Sequence, residues 1–232
     1  MEISIIIPTF NYDKYIARAI RSCIEQSFPK NKFEIIVIND CSKDSTKYIL
    51  KSYGHWIRTI ENENNHGLPY CRNLGIREAK GKYIVNLDAD DYLHKDFLNI
   101  CNLTLEFNNY DAVAMDYFLV DDQEKVIRRV SVKDSPIACG IMFKRSQMIE
   151  IGLYDTDLSI GEDVDFRIRF EKRYTIQNIN LPLYRYRMHK ENNTSNITQN
   201  QHYLDMVAKK NACSINHSYP AEKISKVTVN KV

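Results

Sequence analysis

The sequence lacks the cysteine patterns that hold zinc or build a disulfide framework. Its six cysteines are scattered along 232 residues, and no two of them form a Cys-x-x-Cys pair. Zinc sites and small disulfide-linked folds both depend on closely spaced cysteines, so this spacing argues against both. We therefore expect reduced cysteines, most of them in the core of a cytosolic protein: Cys23, Cys41, Cys71, Cys101, Cys139 and Cys213.

Long apolar runs and a large excess of one charge are also missing. No stretch is long enough to span a bilayer, and no basic, signal-like segment precedes the apolar run that begins at Ile3. The formal net charge is +2, too close to neutral to indicate a nucleic acid as partner. We expect a cytoplasmic protein. Peripheral contact with the inner face of the membrane stays open because of scattered lysines, although such lysines are more often solvated surface: Lys209, Lys210, Lys223 and Lys226.

The glycine-based motifs that bind nucleotides or calcium are absent as well. No Gly-x-Gly-x-x-Gly follows any predicted strand, which excludes the dinucleotide fingerprint. Gly75 and Gly81 are one position too far apart for a phosphate-binding P-loop. The acidic stretch that starts at Asp88 is not an EF-hand, because Leu93 stands where that loop requires glycine.

The first hundred residues do contain a regular alternation of strand and helix patterns. Short apolar runs predict four strands, at Ile3–Pro8, Phe33–Ile38, Trp56–Glu61 and Tyr83–Leu87. Apolar residues at helical spacing predict helices between and after them, at 16–24, 44–53, 68–79 and 96–107. Buried strands that alternate with helices indicate a mostly parallel sheet with right-handed crossovers, flanked by helices. The predicted fold class is therefore α/β.

The pattern changes after Asp111, where strands follow one another without helices between them. The predicted elements are strands at Ala112–Val120, Lys125–Val130, Tyr174–Ile179 and Leu183–Met188 and a helix at Glu162–Lys172. We interpret this part as a mixed edge of the same sheet, within a single domain over residues 1–198. Residues 199–232 are predicted to form a tail, which is either a packed helix over Tyr203–Asn211 followed by disorder or an extension used for association.

Polar side chains follow the ends of the predicted strands. Asp88 and Asp90 come directly after the fourth strand, and short carboxylates in that place suit a hard divalent cation that also binds phosphate oxygens. Each cluster alone fits a turn or a helix cap. Ligands of open parallel sheets bind beyond the carboxyl ends of the strands, so together the clusters predict one crevice with a metal–diphosphate site. The other clusters are Pro8-Thr9-Phe10-Asn11, Asn39-Asp40-Cys41-Ser42 and Asn65-His66-Gly67-Leu68-Pro69 with Arg72-Asn73.

In their order and spacing, these motifs resemble family 2 glycosyltransferases with the GT-A fold. The motifs of the first half are Pro8-Thr9-Phe10-Asn11, Val37-Ile38-Asn39-Asp40-x-Ser42, Asn65-x-Gly67-Leu68-Pro69-x-x-Arg72-Asn73-x-Gly75 and Gly81-x-Tyr83-Ile84-x-x-Leu87-Asp88-x-Asp90-Asp91. Those of the second half include Ile151-Gly152-Leu153-Tyr154-Asp155, Gly161-Glu162-Asp163-Val164-Asp165-Phe166 and Leu183-Tyr184-x-Tyr186-Arg187-x-His189. The resemblance covers roughly residues 3–198 and implies a single Rossmann-like mixed sheet.

The resemblance implies a metal-dependent site for a nucleotide-sugar donor. Phe10 would stack on the base, and Asp40 would accept a hydrogen bond from the base imide, which favours a UDP-sugar. Arg72 would lie near the base or the diphosphate, and Asp88 would hold the ribose or the donor sugar. Asp90 would bind Mn²⁺ or Mg²⁺. The residues that the resemblance places at the donor are Pro8, Thr9, Phe10, Asn11, Asp40, Arg72, Asp88 and Asp90.

The pair Glu162-Asp163 is a second chemical centre. Acids at a helix start are favoured by the helix dipole alone, but beside a donor site the pair fits the general base of an inverting transfer. By resemblance Asp163 is that base, and Glu162 orients the acceptor or its neighbours. His189 would complete the metal shell, although a lone histidine is more often a surface or core residue. The acceptor would be a hydroxyl of a glycan or a lipid-linked glycan, and the sugar a hexose or an N-acetylhexosamine.

Two other functions share parts of this pattern. A sugar nucleotidyltransferase has a similar α/β core, but it would carry a glycine-rich, arginine-containing loop where this chain has Phe10-Asn11-Tyr12-Asp13. A non-catalytic nucleotide-sugar-binding protein would keep the crevice and lose the chemistry, and the intact acids argue against it. The residues do not indicate which sugar, acceptor, linkage or oligomeric state to expect.

Overall fold

A computed structural model of the chain describes residues 1–158, 160–189, 207 and 209–211. These residues form one mixed sheet with helices packed against it, which confirms the predicted α/β fold. The strands are β1 (Ile3–Thr9), β2 (Phe33–Asn39), β3 (Arg58–Glu61), β4 (Tyr83–Asn86), β5 (Tyr92–Leu93), β6 (Ala112–Val120), β7 (Val126–Val130), β8 (Ile141–Lys144) and β9 (Ile176–Arg187). The helices are α1 (Ile16–Ile24), α2 (Thr46–Ser52), α3 (Leu68–Glu78), α4 (Phe97–Asn108), α5 (Arg145–Glu150) and α6 (Glu162–Glu171).

The first four strands form the parallel part of the sheet, in the order β3-β2-β1-β4. Every residue of β1 is buried, because its two faces are covered by different helices. Ile7 packs in the same apolar cluster as Ile20 of α1, whereas Ile6 packs with Ile76 of α3 on the other face. Parallel strands end at one edge of a sheet, so the polar residues after β1, β2 and β4 are brought to the same edge.

The second half of the chain extends the sheet in the order β8-β6-β9-β5, with β7 paired to β6. β8 runs antiparallel to both β4 and β6. The second half of the chain therefore forms a mixed side of the same sheet, as predicted, and β8 joins it to the parallel part. The apolar side chains of β8, such as Met142, are buried, as expected for a strand that lies between two others.

The prediction of two strands at 174–179 and 183–188 was also wrong, because β9 is one strand that pairs in parallel with β6. Pro182 has no N–H to donate to a ladder, which is why the sequence suggests a break there. The strand continues past it through register shifts on either side of Asp116 in β6. The short elements β5, β8 and α5 were not predicted as strands or helices.

The structure bears on the other sequence-based expectations for the described part of the chain. Cys23, Cys71, Cys101 and Cys139 are buried and free, as expected, and Cys41 is partly exposed. Among the described residues, no helix combines the length and apolar character needed to cross a bilayer.

The C-terminal predictions are tested only in small part. The domain boundary predicted at residue 198 and most of the predicted tail, with Cys213, lie outside the described residues. Residues 207 and 209–211, within the predicted helix 203–211, are helical. Val207 is buried against Leu158 and Ile168, so this short piece packs on the domain.

Candidate active site

The turn after β4 carries the aspartates at the centre of the site. Asp91 is buried in this turn, where its carboxylate accepts hydrogen bonds from the Tyr184 hydroxyl at 2.6 Å and from the Arg187 backbone N–H at 2.8 Å. Burial, together with the charges of Asp90 and Asp88, raises the pKa of Asp91 well above its usual range. Asp91 therefore anchors the turn to β9 and leaves the other two aspartates partly exposed.

Asp90 lies beside His189, which follows β9. The His189 Nε2 atom is 2.8 Å from Oδ2 of Asp90, and the Tyr15 ring stacks on the imidazole with centroids 4.8 Å apart. Arg187 holds the backbone of the same turn, because its Nε donates to the Asp90 carbonyl oxygen at 2.8 Å. The structure thus brings together the two predicted metal ligands, although they are far apart in the sequence.

A carboxylate and an imidazole fit a divalent cation that is shared with a substrate. Among the described residues, no group of three or more histidine, cysteine or acidic side chains could enclose a metal ion. A structural site closed by the protein alone needs about four such ligands. Mg²⁺, in contrast, is commonly held by one or two carboxylates while water and phosphate oxygens complete its shell. Asp90 and His189 are therefore suited to a cation that arrives with a diphosphate.

Arg72 connects the strand-end turn with α6. Its Nη1 donates to Oε1 of Glu162 at 2.6 Å, and its Nη2 donates to Oδ1 of Asp88 at 3.0 Å. The guanidinium also lies over the Tyr154 ring, 5.4 Å from the centroid. Arg72 is only 1% exposed and Glu162 is buried, so the ion pair between them is shielded from water, whereas Asp88 is partly exposed. The buried Nε has no hydrogen-bond acceptor among the described residues.

The acid pair begins α6. Gly161, which precedes it, has a positive φ of 82°, a conformation that favours glycine. Burial and the neighbouring Asp163 raise the pKa of Glu162 to about 7, while Arg72 acts in the opposite direction. Burial also raises the pKa of Asp163, again against the effect of Arg72. Carboxylates with raised pKa values are suited to accepting a proton near neutral pH.

The end of β1 presents an exposed aromatic ring. Phe10 is 40% exposed, which leaves a surface that a planar base could cover. Asn11 adopts a positive φ of 57° and is held by the loop after β2. Its N–H donates to the Ser42 hydroxyl at 3.0 Å, and its Oδ1 accepts from the Lys43 N–H at 2.8 Å. Pro8 and Thr9 are buried in β1, as the last residues of that strand.

Asp40 is buried after β2 and holds the loop that leads into α3. Its carboxylate accepts hydrogen bonds from Asn62 Nδ2 at 2.7 Å, from the His66 N–H at 3.0 Å and from the Gly67 N–H at 2.8 Å. A base imide would share oxygens that already accept these bonds. The predicted contact of Asp40 with a base stays a prediction.

Several residues of the site were not given a role from the sequence. Tyr154 supports Arg72, and its backbone is clamped by Asn73 through two hydrogen bonds of 2.8 and 2.9 Å. Tyr15 and Arg187 support His189 and the Asp90 turn. Tyr154 lies within a motif of the resemblance, and Arg187 belongs to an alternation of tyrosine and arginine. These patterns were the available signals, but neither shows what the side chain contacts.

Comparison with known proteins identifies the family. The sequence model described as glycosyl transferase family 2 matches residues 4–171, well over half of the chain. This chain belongs to glycosyltransferase family 2. The membership confirms the resemblance drawn from the motifs.

The sequence of one relative shows how far the likeness extends. The poly(ribitol-phosphate) beta-N-acetylglucosaminyltransferase TarS of Staphylococcus aureus is 38% identical over 118 residues, which is 50% of this chain and 21% of TarS. The chain thus spans about a fifth of that relative's length.

Two solved structures share the fold. S. aureus TarS 1–349 in complex with UDP-GlcNAc has a TM-score of 0.78 at 20% identity, over 98% of this chain and 70% of that one. The mannosyltransferase PcManGT of Pyrobaculum calidifontis, in complex with GDP-Man and Mn²⁺, has a TM-score of 0.76 at 19% identity, over 97% and 68%. At these identities the likeness is one of fold.

Proposed function

We propose that this glycosyltransferase moves a sugar from a UDP-sugar to a hydroxyl of a glycan or a lipid-linked glycan, with inversion and with the help of a divalent cation. The observation that carries the proposal is the ion-pair chain from Asp88 through Arg72 to Glu162. It means that the aspartates of the β4 turn and the acid pair of α6 belong to one site. Acids on separate faces of the molecule could not act on one substrate.

Asp90 and His189 are the residues that would hold Mn²⁺ or Mg²⁺. Such a cation, when bound, neutralises the charge that builds on a departing nucleoside diphosphate. Phe10 would stack on the base, Asp88 would bind the ribose or the donor sugar, and Pro8, Thr9 and Asn11 would shape the donor site. Because the leaving group is stabilised by charge, no carboxylic acid is needed to protonate it.

Asp163 is the proposed general base. Its carboxylate takes the proton from the acceptor hydroxyl while the acceptor oxygen forms a bond to the anomeric carbon. The bond from that carbon to the diphosphate oxygen breaks, and the nucleoside diphosphate leaves with the electron pair. A single displacement of this kind converts an α-linked donor into a β-linked product. Glu162 orients the acceptor or the neighbouring groups.

The donor and acceptor classes draw support from the relatives. TarS is named as a beta-N-acetylglucosaminyltransferase that acts on poly(ribitol-phosphate), and its structure was solved with UDP-GlcNAc. The proposed UDP donor, the N-acetylhexosamine or hexose and the polymeric acceptor agree with these names. We also propose a place in the cytoplasm, with peripheral contact at the inner face of the membrane.

A screen of nucleotide-sugars for metal-dependent release of nucleoside diphosphate tests this proposal. We expect release from a UDP-sugar in the presence of Mn²⁺ or Mg²⁺, a loss of release after chelation, and stimulation by a glycan acceptor. Binding of UDP without release from any donor, with any acceptor tried, would indicate a binding protein instead. Release that is unaffected by chelation would overturn the role of the cation.

A further inference from the structure

We infer that Arg72 is a positioning residue, which ties the donor side of the crevice to the acid pair and does not itself bind the donor. This inference rests on the proposed function, because it assigns roles within that site. It also differs from the role near the base or diphosphate that the sequence suggests for Arg72.

The contacts of the guanidinium leave little of it for a substrate. One terminal nitrogen donates to Glu162 and the other to Asp88, at 2.6 and 3.0 Å. The side chain is 1% exposed, so a phosphate could reach it only by displacing the buried Glu162 carboxylate or the partly exposed Asp88 carboxylate. A group that is enclosed in this way orders its neighbours more readily than it captures a ligand.

The scaffold around Arg72 fixes its position. The Tyr154 ring lies against the guanidinium, and Asn86 Nδ2 donates to the Tyr154 hydroxyl at 3.0 Å. Asn73, which follows Arg72 in α3, holds the Tyr154 backbone from the same side. The guanidinium is therefore held between β4, α3 and α6 by groups whose own places are fixed.

The charges that face the acid pair show what Arg72 does for it. The acids Glu162 and Asp163 interact with each other. Three further groups act on this pair: the Asp88 carboxylate of the β4 turn, the Tyr154 hydroxyl and the Arg72 guanidinium of α3. Asp88 raises the pKa of both acids, and Arg72 lowers the pKa of both. Without the guanidinium, three carboxylates would share a poorly hydrated space, and the acids would stay protonated to a higher pH. A protonated Asp163 cannot accept the acceptor's proton.

Carboxyl NMR titration of protein labelled with ¹³C in glutamate tests the inference without any turnover. The Glu162 signal is identified by its absence in Glu162→Gln. We expect Arg72→Gln to raise the Glu162 midpoint by at least about one pH unit, a tenfold change in ionisation constant. Arg72→Lys keeps the charge and should move the midpoint much less. Arg77→Gln, an exposed position on the same helix, is the matched control and should leave it unchanged.

Calorimetry with UDP and Mn²⁺ on the same variants separates positioning from donor binding. We expect the affinity of Arg72→Gln and Arg72→Lys to stay within about threefold of the wild type. A loss of more than about tenfold, with an unmoved Glu162 midpoint, would show that Arg72 binds the donor and would overturn the inference. If Arg72→Gln does not fold, the affinity of Arg72→Lys for UDP with Mn²⁺ decides. A change within about threefold supports the inference, and a loss of more than about tenfold overturns it. Failure of every nucleotide-sugar to release diphosphate would overturn the proposed function and leave the midpoint comparison valid.

Discussion

The carboxylates of Asp163 and Asp90 have different surroundings, which suit them to different tasks. Burial raises the pKa of Asp163 at the start of α6, so that this group holds a proton more readily than an exposed aspartate does. Asp90 lies on the β4 turn, where its Oδ2 faces the imidazole of His189. The first environment suits a base and the second suits a metal ligand, so variants of the two should fail in different ways.

Asp163→Asn should lower the rate of sugar transfer at least about a hundredfold, the scale for the loss of a positioned base. The amide keeps the size of the side chain and removes its ability to accept a proton. Donor binding should stay nearly intact, because Asp163 has no proposed contact with the donor. Initial rates and UDP affinity of the purified variant check both parts. Near-normal turnover would rule out Asp163 as the base.

Asp90→Ala should weaken the binding of UDP in the presence of Mn²⁺ by at least about tenfold, because a ligand of the proposed cation is lost. Binding in the absence of metal should change little. Calorimetry with and without Mn²⁺ measures this difference. Asp134→Ala, at an exposed position in the 131–135 turn, is the control and should bind like the wild type. If Mn²⁺ strengthened UDP binding equally in Asp90→Ala and in the wild type, Asp90 would not be a ligand of the cation.

At the scale of elements, the packing of α3 on β1 sets the height of Arg72 and Asn73 above the sheet. A Cβ added at Gly75 would lie 2.4 Å from the Ile6 side chain, closer than real contacts allow. Gly75→Ala should therefore destabilise the protein by about 1–3 kcal/mol, although alanine is the better helix former by about 1 kcal/mol. Overpacking outweighs propensity here because Ile6 is fully buried in β1.

Urea unfolding of Gly75→Ala measures this cost. Gly54→Ala is the matched control, since the nearest atom to its added Cβ is the Lys51 carbonyl oxygen at 3.4 Å. Its unfolding free energy should stay within about 0.5 kcal/mol of the wild type. Equal stability of Gly75→Ala and the wild type would mean that α3 can shift away from β1 without cost.

The elements also show which parts of the fold and the site a sequence can predict. β1, β2 and β4 were predicted close to their ends, because strands covered on both faces need continuous apolar runs. β9 was divided in two, since a proline inside a strand is ordinarily a break and only tertiary pairing with β6 carries the strand past it. The central place of β8 depends on pairing between distant strands, which no local pattern encodes.

Motifs predicted that these acids share one site, but they did not show how the acids are connected. The partner of Arg72 at the acid pair, Glu162, lies 90 positions away in the sequence. The stacking of Tyr15 on His189 spans nearly twice that separation, and a tyrosine just before a helix carries no signal of such a contact. Contacts of this range follow from the topology of the sheet, so they could be seen only in the folded chain.

At the scale of the whole molecule, the site depends on the joining of two halves of one sheet. β4 from the first half pairs with β8 from the second, with Ile84 opposite Phe143. The β1, β2 and β4 ends supply the donor side, and α6 supplies the acid pair. The charges of the pair are buried where the halves meet, so their ionisation is linked to the stability of the entire fold.

Glu162 should therefore make global stability depend on pH in a definite direction. Burial and Asp163 raise its pKa from 4.5 to about 7 in the folded protein, against the opposing effect of Arg72. The folded state thus holds this proton more tightly than the unfolded chain does. The stabilisation is fully present below about pH 4.5 and is lost as the pH rises to about 7. Across that window, the free energy of unfolding of the wild type should fall relative to Glu162→Gln by up to about 1.4 kcal/mol per pH unit.

Urea unfolding of the wild type and Glu162→Gln at pH 5, 6, 7 and 8 checks the sign, because other titrating groups cancel in the difference between the two proteins. Glu63→Gln, at an exposed position far from the acid pair in the sequence, should give a curve parallel to the wild type. Above pH 7 the difference should become constant, since Glu162 is then ionised in both the folded and the unfolded state. A difference that stays constant from pH 5 to 8 would show that folding leaves the proton affinity of Glu162 unchanged and would contradict the raised pKa of this residue in the folded protein.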